Sequence, residues 1–249
     1  MEEIEYICRW STELTPSFKE DFVSVLERVW EKEFNPDAFL CRYVDNIYGP
    51  SLLIMAYSND LPIGTQAFWR NDIDKRVAYQ ADDGAVMESY RGNGLLGEMI
   101  RKGLEILGND VLLYSYTNNK SKKSFVKLGW DVMSSYPIRP LVLYNHYYHQ
   151  CPQMADYEYA NWYLQKKKHI TYVKRNNRYY LIIPTSYRYI SLAISCCDKM
   201  TAMLFRKKTG FTWLVFNKQP NVIDPEKKGN LVVFGYQGEV IPVWKCDAI

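Results

Sequence analysis

The sequence predicts a protein of the α/β class and the α+β type: a mixed, mostly antiparallel sheet with flanking helices, followed by a smaller α+β domain. Three observations lead to this fold class. The 249 residues are 47% hydrophobic and 24% charged, which is ordinary for a globular chain with a sizeable core. Strand patterns dominate the first half, and a strand, a glycine-rich turn and an amphipathic helix follow one another at its centre.

We predict two domains, 1–146 and 147–249, and the two halves of the chain differ in net charge. Residues 1–150 carry 16 basic and 21 acidic side chains, a net charge of −5, whereas residues 151–249 carry 15 and 7, a net charge of +8. Such a contrast indicates two units that attract each other or one unit that faces an anionic ligand. Solvated surface charge without a partner explains it equally well.

Several classes are excluded or disfavoured. The sequence contains no stretch of 18 apolar residues, so we expect no membrane-spanning helix. The acidic start Met1-Glu2-Glu3 lacks an apolar signal core, so we expect a cytoplasmic protein. Six cysteines without a CxxC pair predict reduced thiols, and three scattered histidines predict no metal site. The basic residues form only short clusters, so we expect no nucleic-acid partner.

The first elements follow from periodicity and capping signals. Residues 4–10 alternate apolar and polar side chains and predict a strand. Thr15-Pro16 begins a helix, and Asn35-Pro36 caps a short second one that ends near Tyr43. One face of the first helix is apolar: Phe18, Phe22, Val25, Leu26, Val29 and Trp30.

A hairpin and a third strand come next. Residues 52–57 and 63–69 pair around Asn59-Asp60. The strand 77–87 carries Asp82, Asp83 and Gly84 in its middle, and a glycine inside a strand often marks a bulge. The turn at 90–97 then leads into a helix that ends at Gly108.

The remaining elements complete both domains. Asn118 opens a compact helix that ends near Gly129. The segment 125–130 resembles 205–211, so the second domain is either a degenerate copy of the first or similar by chance. Helices are also predicted at 157–168 and 198–208, and a connector at 147–153. The other predicted strands are 111–116, 131–136, 141–144, 171–175, 179–183, 190–194, 213–216 and 231–236.

The glycine-rich turn predicts a phosphate site. Gly92, Gly94 and Gly97 let the backbone approach a ligand closely, and the following helix presents unpaired N–H groups and the positive end of its dipole. The spacing fits the Rossmann pattern GxGxxG, but that pattern requires a loop after the first strand of a βαβ unit and an acidic residue at a later strand end. The GK[ST] of a Walker loop is absent.

Two motifs in order resemble the Gcn5-related N-acetyltransferase (GNAT) family. Its (Gln/Arg)-x-x-Gly-x-(Gly/Ala) motif after a valine is matched by Val86, Arg91 and Gly94, with Leu96 in place of the last small residue and Glu88 where many members have proline. Its next motif is matched by Asn118, Ser121, Phe125, Gly129 and Trp130. The resemblance covers about residues 3–145, and the whole chain is similar to two-part bacterial members linked to sugar or surface-polysaccharide modification.

This resemblance implies a GNAT-like sheet whose splayed strands admit the pantetheine arm of acetyl-CoA. The backbone of Val86 would pair with that arm, and N–H groups at 91–97 would hold the pyrophosphate. Four lysines lie on the helix nearest the adenosine end: Lys120, Lys122, Lys123 and Lys127. They would either contact a ribose phosphate or form a solvated helix face. The implied cofactor-binding residues are Val86, Arg91, Gly92, Asn93, Gly94, Leu95, Leu96, Gly97, Asn118, Ser121 and Phe125.

Direct acetyl transfer also needs a base and a proton donor. We expect Asp83 rather than Asp82 to be the base, because it is closer to Val86 and adjacent strand residues face opposite sides of a sheet. Related enzymes often carry a tyrosine acid at the position of Phe125, which cannot donate a proton. Either Tyr116, Ser121 or a water molecule would then serve, or the thiolate would leave without a proton donor.

The expected function is acetyl transfer from acetyl-CoA to an amine or hydroxyl of a small acceptor, with an amino sugar or nucleotide sugar as first choice. The basic, aromatic-rich second domain would cover the acceptor or would simply form its own core. Phe125 keeps a non-catalytic acyl-CoA-binding module open as an alternative. A weaker alternative is peptidyl transfer from a charged tRNA. The sequence does not give the oligomeric state.

Overall fold

The structure, a computed structural model, describes residues 3–73, 76–108, 110–137, 157–165, 169–184, 188–216 and 228–234. The chain divides into two units. The first unit comprises Met1–Ser135 and Lys228–Gly238, and the second comprises Tyr136–Lys227 and Glu239–Ile249. In the described part of the chain, no helix is both long and apolar enough to cross a membrane.

The first unit is built on a seven-stranded sheet in the order β1-β2-β3-β4-β5-β12-β6. The neighbouring pairs β1/β2, β2/β3, β3/β4 and β5/β12 are antiparallel, and β4/β5 is parallel. This is the mixed, mostly antiparallel sheet that the sequence predicts. Its strands are β1 (Ile4–Trp10), β2 (Leu52–Ser58), β3 (Leu61–Arg70), β4 (Ala78–Val86), β5 (Leu112–Thr117), β6 (Asp131–Pro137) and β12 (Lys228–Phe234).

The helices of the first unit begin where the capping residues predict. Thr15 accepts a hydrogen bond from the Phe18 N–H, and Asn35 accepts one from Asp37. The four helices are α1 (Pro16–Trp30), α2 (Pro36–Phe39), which a π-helical turn over Leu40–Val44 continues, α3 (Leu95–Leu107) and α4 (Asn119–Lys127).

One core of the first unit joins α3 and α4 to the sheet. It includes Met99 and Ile100 of α3, Phe68 of β3 and Phe125 of α4. At Gly103, α3 lies so close to β3 that an added Cβ would stand 2.1 Å from the Phe68 ring. Glycine is therefore the residue that lets this helix reach the sheet.

Gly103→Ala is expected to destabilise the protein, although alanine is the better helix former. The ring and the helix must separate to admit the methyl group, and such overpacking costs about 1–3 kcal/mol. Thermal unfolding followed by circular dichroism measures the effect. An unchanged or higher melting temperature would show that α3 does not pack on Phe68 in this way.

Strand β12 lies in the sheet of the first unit, whereas the sequence places a strand at 231–236 in the second domain. It pairs with β5 from Asn230–Thr117 to Phe234–Leu113. Its Val232 is fully buried in the same core as α3. Burial of this apolar face draws the segment into the first unit, so β12 interrupts the chain of the second unit, which continues at Glu239–Ile249.

The second unit contains a five-stranded sheet in the order β10-β7-β8-β9-β11. The predicted hairpin is confirmed, and Asn176 and Asn177 at its tip both have positive φ. Two short helical segments are described, α5 (Tyr157–Tyr159), which a π-helical turn over Ala160–Leu164 continues, and α6 (Lys199–Met203). The strands are β7 (Thr171–Arg175), β8 (Arg178–Pro184), β9 (Ile190–Cys197), β10 (Arg206–Lys207) and β11 (Trp213–Phe216).

The helix predicted over 198–208 is wrong in length. It ends at Met203, because Arg206 and Lys207 are extended and pair in parallel with Thr171 and Tyr172. The predicted strand 141–144, the connector 147–153 and the end of the helix predicted over 157–168 lie outside the described residues.

Candidate functional site

A gap opens where β4 and β5 diverge. The two strands pair at only three positions, Ala78–Leu112, Tyr79–Leu113 and Gln80–Tyr114. On their other edges, β4 pairs with β3 and β5 pairs with β12. Oγ of Ser115 in β5 still donates to the Ala81 carbonyl at 2.7 Å, and between the described strands the backbone of β4 from Asp82 to Val86 makes no pair with β5.

A bulge distorts β4 beside this gap. Thr65 of β3 pairs with Ala85 and Ala67 pairs with Asp82, so Asp83 and Gly84 together stand opposite the single residue Gln66. Asp83 has a φ of 49°, which is left-handed. The bulge expected from Gly84 is therefore present, but its left-handed residue is Asp83.

The glycine-rich turn leaves the start of α3 open. Gly94 caps α3 with a φ of 80°, and no side chain caps the helix. The first bond of the helix runs from the Glu98 N–H to the Gly94 carbonyl at 3.0 Å. The N–H groups of Leu95, Leu96 and Gly97 come before this ladder and point out of the helix end. They form a partially positive site for an anion.

The three glycines of the turn face space that none of the described residues fills. A Cβ built on Gly92, Gly94 or Gly97 would meet no atom of the described residues within 4 Å. Arg91 joins the turn to the end of β4, since its Nε donates a hydrogen bond to the Val86 carbonyl at 3.0 Å. The pairing of the Val86 backbone with a pantetheine arm, which the resemblance implies, stays a prediction. Asn93 is exposed in the same turn.

The second motif lies at the start and in the middle of α4. Oδ1 of Asn118 accepts hydrogen bonds from the N–H groups of Lys120 and Ser121, both at 2.9 Å. The Asn118 oxygen thus caps the helix, and its amide nitrogen remains the group that can donate to a ligand. Phe125 is buried against Trp130, with ring centroids 4.7 Å apart. Its cofactor role remains a prediction.

The two candidate bases contact the same arginine. Nη1 of Arg42, in the turn after α2, lies 3.1 Å from Oδ2 of Asp83 and 3.5 Å from Oδ2 of Asp82. The expectation that these neighbours face opposite sides of the sheet is wrong, because the bulge turns Asp83 back to the side of Asp82. One cation and two carboxylates therefore meet at this point.

The carboxylates differ in accessibility. The side chain of Asp83 is 5% exposed and also accepts a hydrogen bond from the hydroxyl of Tyr43, whereas that of Asp82 is 34% exposed. Burial, followed by the charge of Asp83, raises the pKa of Tyr43 well above its usual value, so the hydroxyl keeps its proton. Asp82 is the carboxylate that a ligand can reach.

Asp82 and Tyr116 occupy matching positions on the two diverging strands. Gln80 and Tyr114 are register partners, so their side chains lie on the same face of the sheet. Asp82 and Tyr116 each follow two residues later and keep that face. They therefore flank the opening of the gap, with Asp82 on β4 and Tyr116 on β5.

Sequence reasoning missed Arg42 and Tyr43. They precede Asp82 and Asp83 by 40 residues, in a segment that the sequence shows only as the end of a short helix. Their adjacency to the bulge is a tertiary contact without a local signal. Within the described residues, no group of three histidine, cysteine, aspartate or glutamate side chains is placed to hold a metal ion.

No protein-family model and no curated protein matches the chain. Solved structures do. A putative acetyltransferase from Pyrococcus horikoshii is 14% identical, with a TM-score of 0.53, over 96% of this chain and 91% of its own. Escherichia coli ElaA is 16% identical over 57% of this chain and 94% of its own, with a TM-score of 0.43. A GNAT-family acetyltransferase from Streptococcus pneumoniae has the same coverage and identity, with a TM-score of 0.42. The likeness to the Pyrococcus horikoshii structure, which spans nearly all of both chains, shows that this chain shares its fold and confirms the predicted α/β fold class.

Proposed function

We propose that the protein is an acyltransferase that moves an acetyl group from acetyl-CoA to an amine or hydroxyl of a small acceptor. The observation that carries this proposal is the combination of an uncapped α3 N-terminus with the strand gap that begins beside it. Backbone N–H groups at the helix end suit a diphosphate. An extended arm from that diphosphate would lie along the uncovered edge of β4.

The chemistry proposed for the gap uses the two residues that flank it. Asp82 takes the proton from the acceptor as it attacks the acetyl carbonyl carbon, and the C–S bond of the thioester then breaks. Tyr116, with its phenolic hydroxyl, gives a proton to the departing thiolate. This assignment prefers Asp82 to Asp83, since the buried Asp83 is held by Arg42 and Tyr43.

The acceptor is proposed only as a class. The cluster of Asp82, Asp83 and Arg42 carries two acidic groups and one basic group, which favours an acceptor that arrives as an ammonium group and releases one proton to solvent, so that the neutral amine attacks. An amino sugar fits this requirement. In the described part of the chain, Cys8 and Cys197 form no disulfide, which agrees with the cytoplasmic location that we propose.

Gly97→Leu tests the diphosphate site without harming the fold. The leucine side chain would enter open space at the start of α3, and leucine is a better helix residue than glycine by about 0.5–1 kcal/mol. We expect the melting temperature to stay or rise while calorimetric affinity for acetyl-CoA falls by at least about tenfold. Equal affinity in the variant would place the cofactor elsewhere.

A second candidate is a non-catalytic acyl-CoA-binding module, which Phe125 favours because it lacks a hydroxyl. Release of free thiol from acetyl-CoA, measured over a panel of amines and amino sugars, separates the two. Turnover that depends on an added acceptor supports the enzyme. Binding of acetyl-CoA without turnover on any acceptor of the panel supports the module.

A further inference from the structure

Asp83 is held in an unfavourable backbone conformation by several contacts. A left-handed φ is disfavoured for a residue with a Cβ, and such strain persists where surrounding groups fix it. Oγ1 of Thr65 donates to the Asp83 carbonyl at 2.9 Å. The carboxylate accepts hydrogen bonds from Nη1 of Arg42 and from the hydroxyl of Tyr43.

Arg42 and Tyr43 are neighbours in the π-helical turn, and together they join that turn to the β4 bulge. The guanidinium of Arg42 is also fixed from its other side, since its central carbon lies 5.5 Å from the centre of the Trp69 ring. Contacts with Trp69 and Asp83 therefore place the pair without a ligand. We call Arg42 and Tyr43 the bulge clamp.

The bulge clamp acts on Asp82 through its neighbour. Asp82 is the last regularly paired residue of β4 before the bulge, and Nη1 of Arg42, which Asp83 holds, also lies within ion-pair distance of the Asp82 carboxylate. Asp83 also takes the closer contact with Arg42, at 3.1 Å against 3.5 Å for Asp82. The arginine thus stays near Asp82 without binding it as tightly.

We propose that Arg42 and Tyr43 are positioning residues, which hold Asp83 in the left-handed bulge and thereby aim Asp82 at the acceptor. This inference rests on the proposed acyltransferase function. Asp83 itself exchanges no proton in the reaction. Its carboxylate accepts the hydrogen bonds of the bulge clamp, and its left-handed backbone conformation is the feature that we propose the reaction requires.

A pair of substitutions at Asp83 separates conformation from carboxylate chemistry. Asp83→Gly and Asp83→Ala both remove the carboxylate, but only glycine adopts a positive φ without strain. We expect Asp83→Gly to keep a kcat on the order of 10- to 100-fold higher than that of Asp83→Ala, because misplacing a catalytic group by about 1 Å has effects of this size. Equal losses in the two variants would overturn the proposal.

Tyr43→Phe tests the clamp directly, and Tyr57→Phe is its matched control. Tyr57 of β2 donates a hydrogen bond to Asp21 of α1 at 3.0 Å, so the control also removes a tyrosine–aspartate bond, but on another strand. We expect Tyr43→Phe to lower kcat about tenfold while calorimetric affinity for acetyl-CoA changes less than about twofold. Tyr57→Phe should lower only the melting temperature.

The outcomes distinguish the two proposals. If the wild-type chain releases no thiol with any acceptor of the panel, the acyltransferase proposal fails and the positioning role fails with it. If the wild type is active and Tyr43→Phe behaves like Tyr57→Phe, only the positioning role is overturned. Activity that falls in Tyr43→Phe and in Asp83→Ala, with Asp83→Gly retaining most of it, supports the clamp.

Discussion

Val232→Asp is expected to unfold the first unit, although residue 232 lies between the two chain segments of the second unit. Val232 is 0% exposed, and β12 fills the place between β5 and β6 in the first sheet. A carboxylate there has to be buried without a partner, and such substitutions cost about 4 kcal/mol or more. That loss is a large part of the about 5–15 kcal/mol that stabilises a domain. Circular dichroism and thermal unfolding measure it.

Val132→Asp is the matched control for this prediction. Val132 lies on β6 of the same sheet, but its side chain is 43% exposed, so the same change should leave the melting temperature nearly unchanged. A fragment of residues 1–146, the first domain predicted from sequence, should not fold either, because it lacks β12. Similar stability of the two variants, or a folded fragment, would contradict the placement of β12 in the first unit.

Asp82→Asn is expected to abolish most acetyl transfer while leaving the acetyl donor bound. An amide is nearly the same size as the carboxylate but does not accept the acceptor's proton, and loss of general-base catalysis lowers rates by about 10²–10⁴-fold. Thiol release measures kcat, and calorimetry measures affinity for acetyl-CoA. We expect the affinity to stay within about twofold, since Asp82 is proposed to act on the acceptor.

Asp45→Asn provides the comparison for a change of charge alone. Asp45 is an exposed carboxylate directly after the π-helical turn, and no role in the reaction is proposed for it. Its variant should keep wild-type turnover. Retained turnover in Asp82→Asn would show that Asp82 is not the base. A water molecule or another side chain at the gap would then accept the proton.

Local signals predicted most elements of the first unit. The caps Thr15 and Asn118 and the apolar face of α3 act within one or two helical turns, so the sequence shows them directly. The start of α3 was predictable for the same reason, because glycines and a helix end form an anion site from contiguous residues.

The features that escaped prediction depend on distant contacts. The left-handed conformation of Asp83 is sustained by Arg42 and Tyr43, which come from another element. Aspartate adopts a positive φ more often than most residues that carry a Cβ, but most aspartates do not, so the residue type alone does not predict the conformation of Asp83. The position of β12 in the first sheet likewise depends on the core in which Val232 is buried. Alternation of apolar and polar residues within the strand does not tell which core that is.

The central claim is that backbone N–H groups at the start of α3 bind the diphosphate of acetyl-CoA. The most direct measurement is the shift of backbone amide resonances in the isotope-labelled chain on titration with coenzyme A and, separately, with pantetheine, which lacks the diphosphate. Our account predicts large shifts at Leu95, Leu96 and Gly97 with coenzyme A and small shifts at these residues with pantetheine. Resonances that stay unmoved by saturating coenzyme A would contradict it.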